Sequence, residues 1–260
     1  MSDLWQTLAL GVIEGITEFL PISSTGHLLV AEHWLGQRTD LFNVAIQAGA
    51  ILAIVFIYWR RLLTLFAGFK DPSNRDYLSK LTAAFLITAI GGFIATKHGF
   101  KLPETIKPIA WAMFIGGIAI LVIERLLANR PLVTDVTWRV AICVGLGQIV
   151  AGMLPGTSRS AATIFAAMLA GLTSRPAATE FAFLVGIPTM FAATGYELLK
   201  VRSQAAAEDW TALAIGFVVS GVVAFVAVKW LLRYIQSHRF TVFAWYRIAL
   251  GLALLLGGLD

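Results

Sequence analysis

The sequence predicts an all-α integral membrane protein with six transmembrane helices and two re-entrant helical hairpins in an inverted-topology repeat. Three observations lead to this fold class. The chain has 260 residues, of which 58% are hydrophobic and 13% charged, with a mean hydropathy of +0.79. Its apolar residues form long blocks with charges near their ends. Two further apolar blocks are interrupted by turns, and these two resemble each other.

The composition excludes several classes of protein. Soluble domains have about 45–50% apolar and about 25% charged residues, so this chain cannot hide its apolar surface by folding in water. The single cysteine, Cys143, allows neither an internal disulfide nor a cysteine metal cluster. The net charge of +5 comes mostly from Lys and Arg between the apolar blocks. It therefore indicates membrane orientation and no nucleic-acid partner.

Six apolar segments are long enough to cross a bilayer, which requires about 20 mostly apolar residues. They cover residues 41–59, 78–97, 107–128, 177–199, 211–232 and 242–258. The two interrupted segments cover residues 4–36 and 137–172. No long polar linker separates them, so residues 1–260 are expected to form a single polytopic membrane domain, with repeats at approximately 1–128 and 137–260.

The basic residues between the segments predict the orientation. The connections at 60–77, 124–139 and 233–241 carry nine Lys and Arg residues, whereas those at 97–107 and 199–210 carry five. Because cytoplasmic connections are richer in Lys and Arg, the first group is expected in the cytoplasm. Both chain ends then face outward.

The two interrupted segments align with each other without a gap. Residues 11–29 and 145–163 share a glycine, a Leu-Pro pair and a serine, with Ser24 aligned to Ser158. Three apolar segments follow each copy, so the second copy starts on the opposite side of the bilayer, as in inverted-topology repeats. Each copy is expected to enter and leave on one side, since irregular backbone at membrane depth needs surrounding protein or water. The alternative is two ordinary helices kinked at their prolines.

Glu14 and Glu18 lie four residues apart, hence on one face of an apolar helix. A carboxylate at membrane depth is unfavourable unless it is paired, hydrated or neutral. Two neighbouring carboxylates repel, so either one keeps a proton or a cation lies between them. Oxygen ligands of this kind suit Mg²⁺ or Ca²⁺, which makes the pair a candidate metal site. The alternative is a pair of interfacial glutamates near a helix end.

The turn after these acids is rich in hydroxyl groups. Ser23, Ser24 and Thr25 suit a sharp turn and the cap of a helix that starts near His27. The free N–H groups at a helix start bind anions, so this turn is a candidate substrate-binding site. His27 is a candidate general acid, general base or nucleophile, because imidazole titrates near neutral pH.

The second turn contains Arg159 within an otherwise uncharged stretch. An arginine guanidinium presents a fork of donors that matches phosphate. Thr157, Ser158 and Ser160 lie beside it at a second helix start. The alternative role for Arg159 is a structural counter-ion for the two glutamates, and both roles can hold. The two hairpins would bring acids, histidine, hydroxyls and arginine together near the midplane, in a site suited to a lipid-linked phosphate.

Two long motifs resemble the signatures of a known family. Residues 14–27 and 155–163 are similar to the two signatures of the bacterial undecaprenyl-diphosphatase family, also called the bacitracin-resistance family. Shorter stretches that resemble the family lie at residues 46–49, 59–61, 180–181 and 243–247. The resemblance covers nearly the whole chain.

The resemblance implies a multi-pass enzyme of the bacterial inner membrane with a site open to the periplasmic side. It implies removal of one phosphate from undecaprenyl diphosphate, with a divalent cation, Mg²⁺ or Ca²⁺, as cofactor. The product, undecaprenyl phosphate, is the lipid carrier for peptidoglycan, and its recycling confers bacitracin resistance. The expected partners are the polyprenyl diphosphate and membrane lipids, and a homo-oligomer is left open.

The resulting hypothesis is that Arg159 and the two helix starts bind the diphosphate. Ser24 is the preferred nucleophile, with Glu18 or His27 accepting its proton, while Glu14 acts with Glu18 on a cation or a proton. In the competing mechanism, His27 or a water that it activates attacks phosphorus. The competing function is a membrane transporter or flippase for phosphate or a polyprenyl phosphate, since inverted repeats with broken helices are typical of transporters.

One more charge lies inside the last apolar segment. Arg247 is interpreted as the partner of Glu180 or Glu197 in a structural ion pair, with contact to substrate as the alternative. Glycines inside the spans, such as Gly49 and Gly116, are expected to allow close packing of helices rather than to form a phosphate loop.

Overall fold

A computed structural model describes residues 2–98, 105–201 and 209–257. Within these ranges the chain consists of helices joined by turns and irregular connections, with no strand. Two residues of the predicted charge bias, Lys101 and Arg202, lie outside the described residues. The eleven helices are α1 Ser2–Thr17, α2 Ser24–Leu35, α3 Asp40–Ile57, α4 Trp59–Ala67, α5 Pro72–Lys97, α6 Ile106–Leu126, α7 Trp138–Met153, α8 Arg159–Leu169, α9 Arg175–Val201, α10 Trp210–Tyr234 and α11 Thr241–Leu256.

Five of these helices, α3, α5, α6, α9 and α10, are long and apolar enough to cross a membrane. They coincide with five of the six predicted segments. The sixth segment forms α11, whose 16 residues span about 24 Å at about 1.5 Å per residue, against a hydrocarbon core of about 30 Å. Large apolar side chains such as Phe93, Ile115 and Val222 are exposed on the outside of the bundle, as expected where a helix faces lipid. The described helices are those of a multi-pass membrane protein.

The connection predicted at residues 60–77 is largely helical. α4 begins directly after α3, and α5 begins at Pro72, a residue that suits the first turn of a helix. α4 is amphipathic, with Leu65 buried and Arg60 exposed, and it packs on α3 and α5. Arg60 and Arg61 therefore lie on a short surface helix rather than in a loop, whereas Lys70 lies in the turn before α5.

The first interrupted segment forms two helices, α1 and α2, separated by a short turn. The chain then returns beside its own start, because Arg38 Nη2 donates a hydrogen bond to the backbone oxygen of Asp3 over 2.7 Å. α2 begins at Ser24 rather than near His27 as predicted. The earlier start arises because Ser23, not a later residue, caps the helix.

The second interrupted segment has the same arrangement with α7 and α8. After α8, the Thr173 hydroxyl donates to the backbone oxygen of Pro131 over 2.6 Å. The backbone N–H of Ser174 donates to the oxygen of Val133 over 3.0 Å. The chain that leaves α8 therefore lies beside the chain that leads into α7. Neither interrupted segment is one continuous helix.

α10 and α5 occupy corresponding places beside the two broken segments. α1 and α3 both pack on α10, while α7 and α9 both pack on α5. α3 also packs on α9 and α6 on α11, so the largest interfaces join the first half of the chain to the second. A Cβ at Gly15 would lie 2.6 Å from the backbone oxygen of Ser220, and one at Gly49 would lie 2.2 Å from that of Phe217. The predicted role of Gly49 in close helix packing is confirmed.

Candidate active site

Both turns end in a serine that caps the following helix from a strained backbone conformation. Ser23 has a φ of 76° and Ser158 a φ of 70°, in the left-handed region that residues other than glycine seldom adopt. The Ser23 hydroxyl accepts the backbone N–H of Gly26 over 3.4 Å, and the Ser158 hydroxyl accepts that of Ala161 over 3.3 Å. These caps offset part of the strain and fix where α2 and α8 begin.

The paired caps shift the alignment of the two turns by one residue. The sequence aligns Ser24 with Ser158, whereas in the structure Ser158 takes the place of Ser23. Gly156 accommodates the additional residue of the second turn with a φ of 90°, and a Cβ there would lie 2.6 Å from a backbone oxygen of α6. Ser24 and Arg159 thus occupy equivalent positions, each the first residue of its helix.

These two residues meet at one carboxylate. The Ser24 hydroxyl donates to Glu18 Oε2 over 2.5 Å, and Arg159 Nη2 donates to Glu18 Oε1 in an ion pair. Glu18 is only 6% exposed, so this carboxylate depends on its two partners rather than on water. The two turns, far apart in sequence, are therefore joined through Glu18.

The backbone N–H of Glu18 donates to the backbone oxygen of Glu14 over 3.0 Å, so the two acids lie one helical turn apart on one face, as predicted. The Glu14 side chain is buried, and its Oε2 atom receives no hydrogen bond from the described residues. Two neighbouring carboxyl groups at membrane depth need a proton or a cation between them. The unpartnered oxygen of Glu14 marks the place where that proton or cation is needed.

The predicted hydroxyl groups divide into two sets. Ser158 and Ser160 are buried, their hydroxyl oxygens lie 3.0 Å apart, and the Ser160 hydroxyl donates to the backbone oxygen of Leu20 over 2.9 Å. Together with Ser23, they hold the turns in place. Thr25 is exposed at the first turn of α2. Thr157, which was also predicted to bind substrate, contributes its backbone oxygen to a contact with α11.

His27 lies beside the site but is held by other groups. Its Nδ1 is 2.6 Å from the backbone oxygen of Ser23, and its Nε2 is 2.6 Å from the Tyr246 hydroxyl. The Nδ1 atom must donate to the carbonyl, so in the neutral imidazole Nε2 accepts from the tyrosine. The two rings also stack, with centroids 5.5 Å apart. In the part of the chain that the structure describes, no hydrogen bond joins His27 to Ser24 or Glu18.

The sequence did not predict the hydrogen-bond partners of Arg247. The predicted ion pair with Glu180 or Glu197 is wrong, because Glu180 pairs with Arg61 over 3.0 Å and Glu197 with Lys200 over 2.8 Å. Arg247 is fully buried and donates instead to backbone oxygens of both turns and of α6. The charge pattern alone could not indicate carbonyl partners, since every residue has a carbonyl.

Comparisons with known proteins identify the family. A family model described as "Bacitracin resistance protein BacA" matches residues 7–253. The chain belongs to the BacA family. A protein of Rhizobium etli named "Undecaprenyl-diphosphatase" is 67% identical over 255 residues, which is 97% of this chain and 96% of the relative. One of Xanthomonas oryzae pv. oryzae with the same name is 58% identical over 258 residues, which is 98% of this chain and 97% of the relative. The resemblance inferred from the two motifs is confirmed.

In this BacA-family chain, the Glu18–Arg159 pair borders a small cavity. Ser160 and Thr163 of α8 line it on one side. The opposite wall comes from α9 and is apolar, and it includes Phe183 and Met190. The lining of this small cavity thus combines an ion pair with apolar side chains.

The carboxylate oxygens of Glu14 and Glu18 are of the type that divalent cations such as Mg²⁺ prefer as ligands. Mg²⁺ and Ca²⁺ take oxygen ligands, and Glu14 Oε2 is a buried carboxylate oxygen without a partner. The described residues contain no group of three or more His, Cys, Asp and Glu side chains that converge on one point. A cation held by Glu14 and Glu18 would therefore need further oxygens from hydroxyls, substrate or water.

Proposed function

We propose that this BacA-family chain is a membrane phosphatase that hydrolyses undecaprenyl diphosphate to undecaprenyl phosphate and inorganic phosphate. The observation that carries the proposal is the convergence of Ser24 and Arg159 on Glu18. Ser24 supplies a hydroxyl nucleophile, Glu18 can accept its proton, and the positive charge of Arg159 can bind phosphate. The relatives' shared name, "Undecaprenyl-diphosphatase", supports this reaction over the transporter alternative.

In the proposed first step, Ser24 Oγ attacks the terminal phosphorus of the diphosphate and gives its proton to Glu18. The bond between that phosphorus and the bridging oxygen breaks, and undecaprenyl phosphate leaves with the bridging oxygen. Water then attacks the phosphoserine, and the bond between phosphorus and Ser24 Oγ breaks. Glu18 returns its proton to Ser24 Oγ, and inorganic phosphate is released with the protons of the water. The 2.5 Å contact between Ser24 Oγ and Glu18 Oε2 supports Glu18 as the proton acceptor, since His27 is engaged elsewhere.

Arg159 is proposed to bind the diphosphate together with the starts of α2 and α8. A guanidinium has five N–H donors, and the bond to Glu18 uses one of them through Nη2. The arginine side chain is 28% exposed while the glutamate side chain is 3% exposed, so the arginine can reach a ligand without leaving the acid. Backbone N–H groups at both helix starts add positive potential.

A divalent cation is proposed to be held by Glu14 and Glu18, as the unpartnered Glu14 oxygen supports. When bound, it would supply positive charge that neutralises part of the diphosphate. Without it, the two carboxyls would share a proton. The chain's own groups, Ser24, Glu18 and Arg159, perform the attack, the proton transfer and the binding.

The finer topology is also proposed: six spans, with the two broken segments as re-entrant hairpins in inverted repeats. The matched packing of α1 and α3 on α10, and of α7 and α9 on α5, supports a two-fold relation between the halves. The return of each broken segment to its own start supports the hairpins. The chain is then an inner-membrane protein whose site opens toward the periplasm.

The experiment is phosphate release from undecaprenyl diphosphate by detergent-purified protein. Ser24→Ala is compared with Ser237→Ala, which removes an exposed hydroxyl in the connection before α11. We expect release to fall by at least about 10³-fold in the first variant, as for other lost nucleophiles, and to be unchanged in the second. Normal turnover by Ser24→Ala would eliminate the serine mechanism. No release by folded wild-type protein across cations and pH would eliminate the phosphatase.

A further inference from the structure

Arg247 of α11 contacts three separate parts of the chain with one side chain. Its Nη1 donates to the backbone oxygens of Pro21 over 3.3 Å and Thr157 over 2.9 Å. Its Nη2 donates to that of Gly156 over 3.0 Å and to that of Ala112 over 3.1 Å. One guanidinium therefore joins the first turn, the second turn and α6.

Among the residues that the structure describes, the charge of Arg247 has no acidic partner. The side chain is fully buried, and among residues 2–98, 105–201 and 209–257 no carboxylate lies within ion-pair distance of it. A buried cation is unfavourable unless several acceptors surround it, and turn carbonyls at membrane depth are unfavourable without donors. The turn carbonyls supply acceptors for the buried guanidinium, and the guanidinium supplies donors for the carbonyls. Each would be unfavourable in this position without the other.

Gly116 of α6 makes the space that the guanidinium occupies. A Cβ at this position would lie 2.2 Å from Arg247 Nη2 and 3.0 Å from its Cζ. The predicted role of Gly116 in close helix packing is therefore too general, because the atom it admits belongs to a charged side chain. Two independent features, a fork of donors and a missing Cβ, define the position of the guanidinium.

We infer that Arg247 is a positioning residue that sets the distance between the two turns, so that Ser24 and Arg159 reach the same carboxylate of Glu18. Pro21 and Gly156 are the residues through which it acts, since each lies within three residues of a helix start. Arg247 does not touch the reacting groups. Its expected effect on turnover rests on the proposed function, whereas its expected effect on the distance between the turns is independent of that function.

The direct test measures the distance between the turns without substrate. Spin labels are attached to Thr25→Cys and Leu154→Cys, both exposed positions, after Cys143→Ser, and the distance distribution is measured by pulsed electron paramagnetic resonance. We expect Arg247→Met to broaden or shift the distribution. Arg247→Lys should do so less, because it keeps the charge and N–H donors, but it should not restore the wild-type distribution, because an ammonium lacks the fork that spans both turns. An unchanged distribution in folded Arg247→Met protein would overturn the inference.

Gly116→Ala gives a second test that keeps the arginine. The added methyl group displaces the guanidinium, so the distance distribution should change as it does in Arg247→Met. Gly195→Ala is the matched control, since a Cβ there has nothing within 4 Å. An unchanged distribution in Gly116→Ala would contradict the assignment, and so would an equal change in Gly195→Ala.

Steady-state kinetics then separate positioning from binding. A displacement of about 1 Å at reacting groups can reduce turnover by about 100-fold. We therefore expect Arg247→Met to lower kcat by about 100-fold with little change in KM, and Arg247→Lys to recover part of the loss. A raised KM with normal kcat would assign Arg247 to substrate binding instead. If wild-type protein releases no phosphate, the proposed function fails while the distance measurement still tests the inference.

Discussion

Replacing Glu18 by glutamine tests the proposed proton acceptor with the smallest change of shape. Glutamine keeps one acceptor oxygen for Arg159 or Ser24 but replaces the other oxygen with an NH₂ group, which cannot take a proton from the serine. Loss of a general base typically reduces turnover by about 10²–10⁴-fold. We expect kcat to fall by about 10³-fold, which corresponds to about 4 kcal/mol in the activation free energy.

The same substitution should affect stability less than activity. Breaking a buried ion pair costs about 3–5 kcal/mol when one charge is left without a partner. Here the Arg159 side chain is 28% exposed and can reach water, so the cost is reduced to about 1–2 kcal/mol by solvent screening. The variant should therefore remain folded in detergent, with a moderately lower thermal unfolding midpoint.

The assay is single-turnover and steady-state phosphate release on undecaprenyl diphosphate over a range of pH. The matched control is Glu180→Gln, because Glu180 also pairs with an arginine, Arg61, in a partly exposed ion pair over 3.0 Å. Its kcat should stay within about threefold of wild type, as for other surface ion pairs. Folded Glu18→Gln protein with a kcat in that same range would refute Glu18 as the proton acceptor.

Two further predictions concern the turn and the cation. Gly156→Ala forces a Cβ into a residue with a φ of 90°, 2.6 Å from a backbone oxygen, so it should lower the thermal unfolding midpoint, at a cost of at least about 1–2 kcal/mol; a midpoint equal to that of Gly195→Ala would contradict the strained turn. Glu14→Gln removes the buried carboxylate that has an unpartnered oxygen, so titration calorimetry with Ca²⁺ should show an affinity at least about tenfold lower than in Glu197→Gln; equal affinities would place the cation elsewhere.

The two motifs predicted three of the side chains that meet at the site, whereas His27, which was also expected there, contacts Ser23 and Tyr246 instead. Glu18, Ser24 and Arg159 come together as the proposed meeting of two turns requires. The prediction succeeds because isolated charges and hydroxyl-rich turns in apolar segments have few stable environments other than one another. Five of the six spans followed from length and apolar composition for the same reason.

Other features could not be predicted because they depend on backbone geometry. The one-residue shift between the turns depends on which of two adjacent serines takes a positive φ, and Ser23 and Ser24 are chemically identical. The partners of Arg247 are carbonyl groups, which leave no trace in the sequence. The helix α4 was missed because its charges suggested a loop, although Leu65 is buried.

The difference between the two halves explains how a repeated scaffold can form a single catalytic site. Each half contributes a capped helix start, and the first residue of that helix is Ser24 in one half and Arg159 in the other. A strictly symmetric pair would offer two serines without an arginine, or two arginines without a nucleophile. The acids differ in the same way, because Gln148 occupies the position in the second half that Glu14 occupies in the first.

This division of roles carries a prediction about the second half. Gln148 is buried, and its Nε2 donates to the Thr189 hydroxyl over 3.3 Å while its Oε1 has no partner among the described residues. Gln148→Glu would place a third carboxyl group at membrane depth without an arginine of its own, so we expect it to destabilise the protein by several kcal/mol and to add no second site. Increased turnover in that variant would show instead that the two halves can act independently.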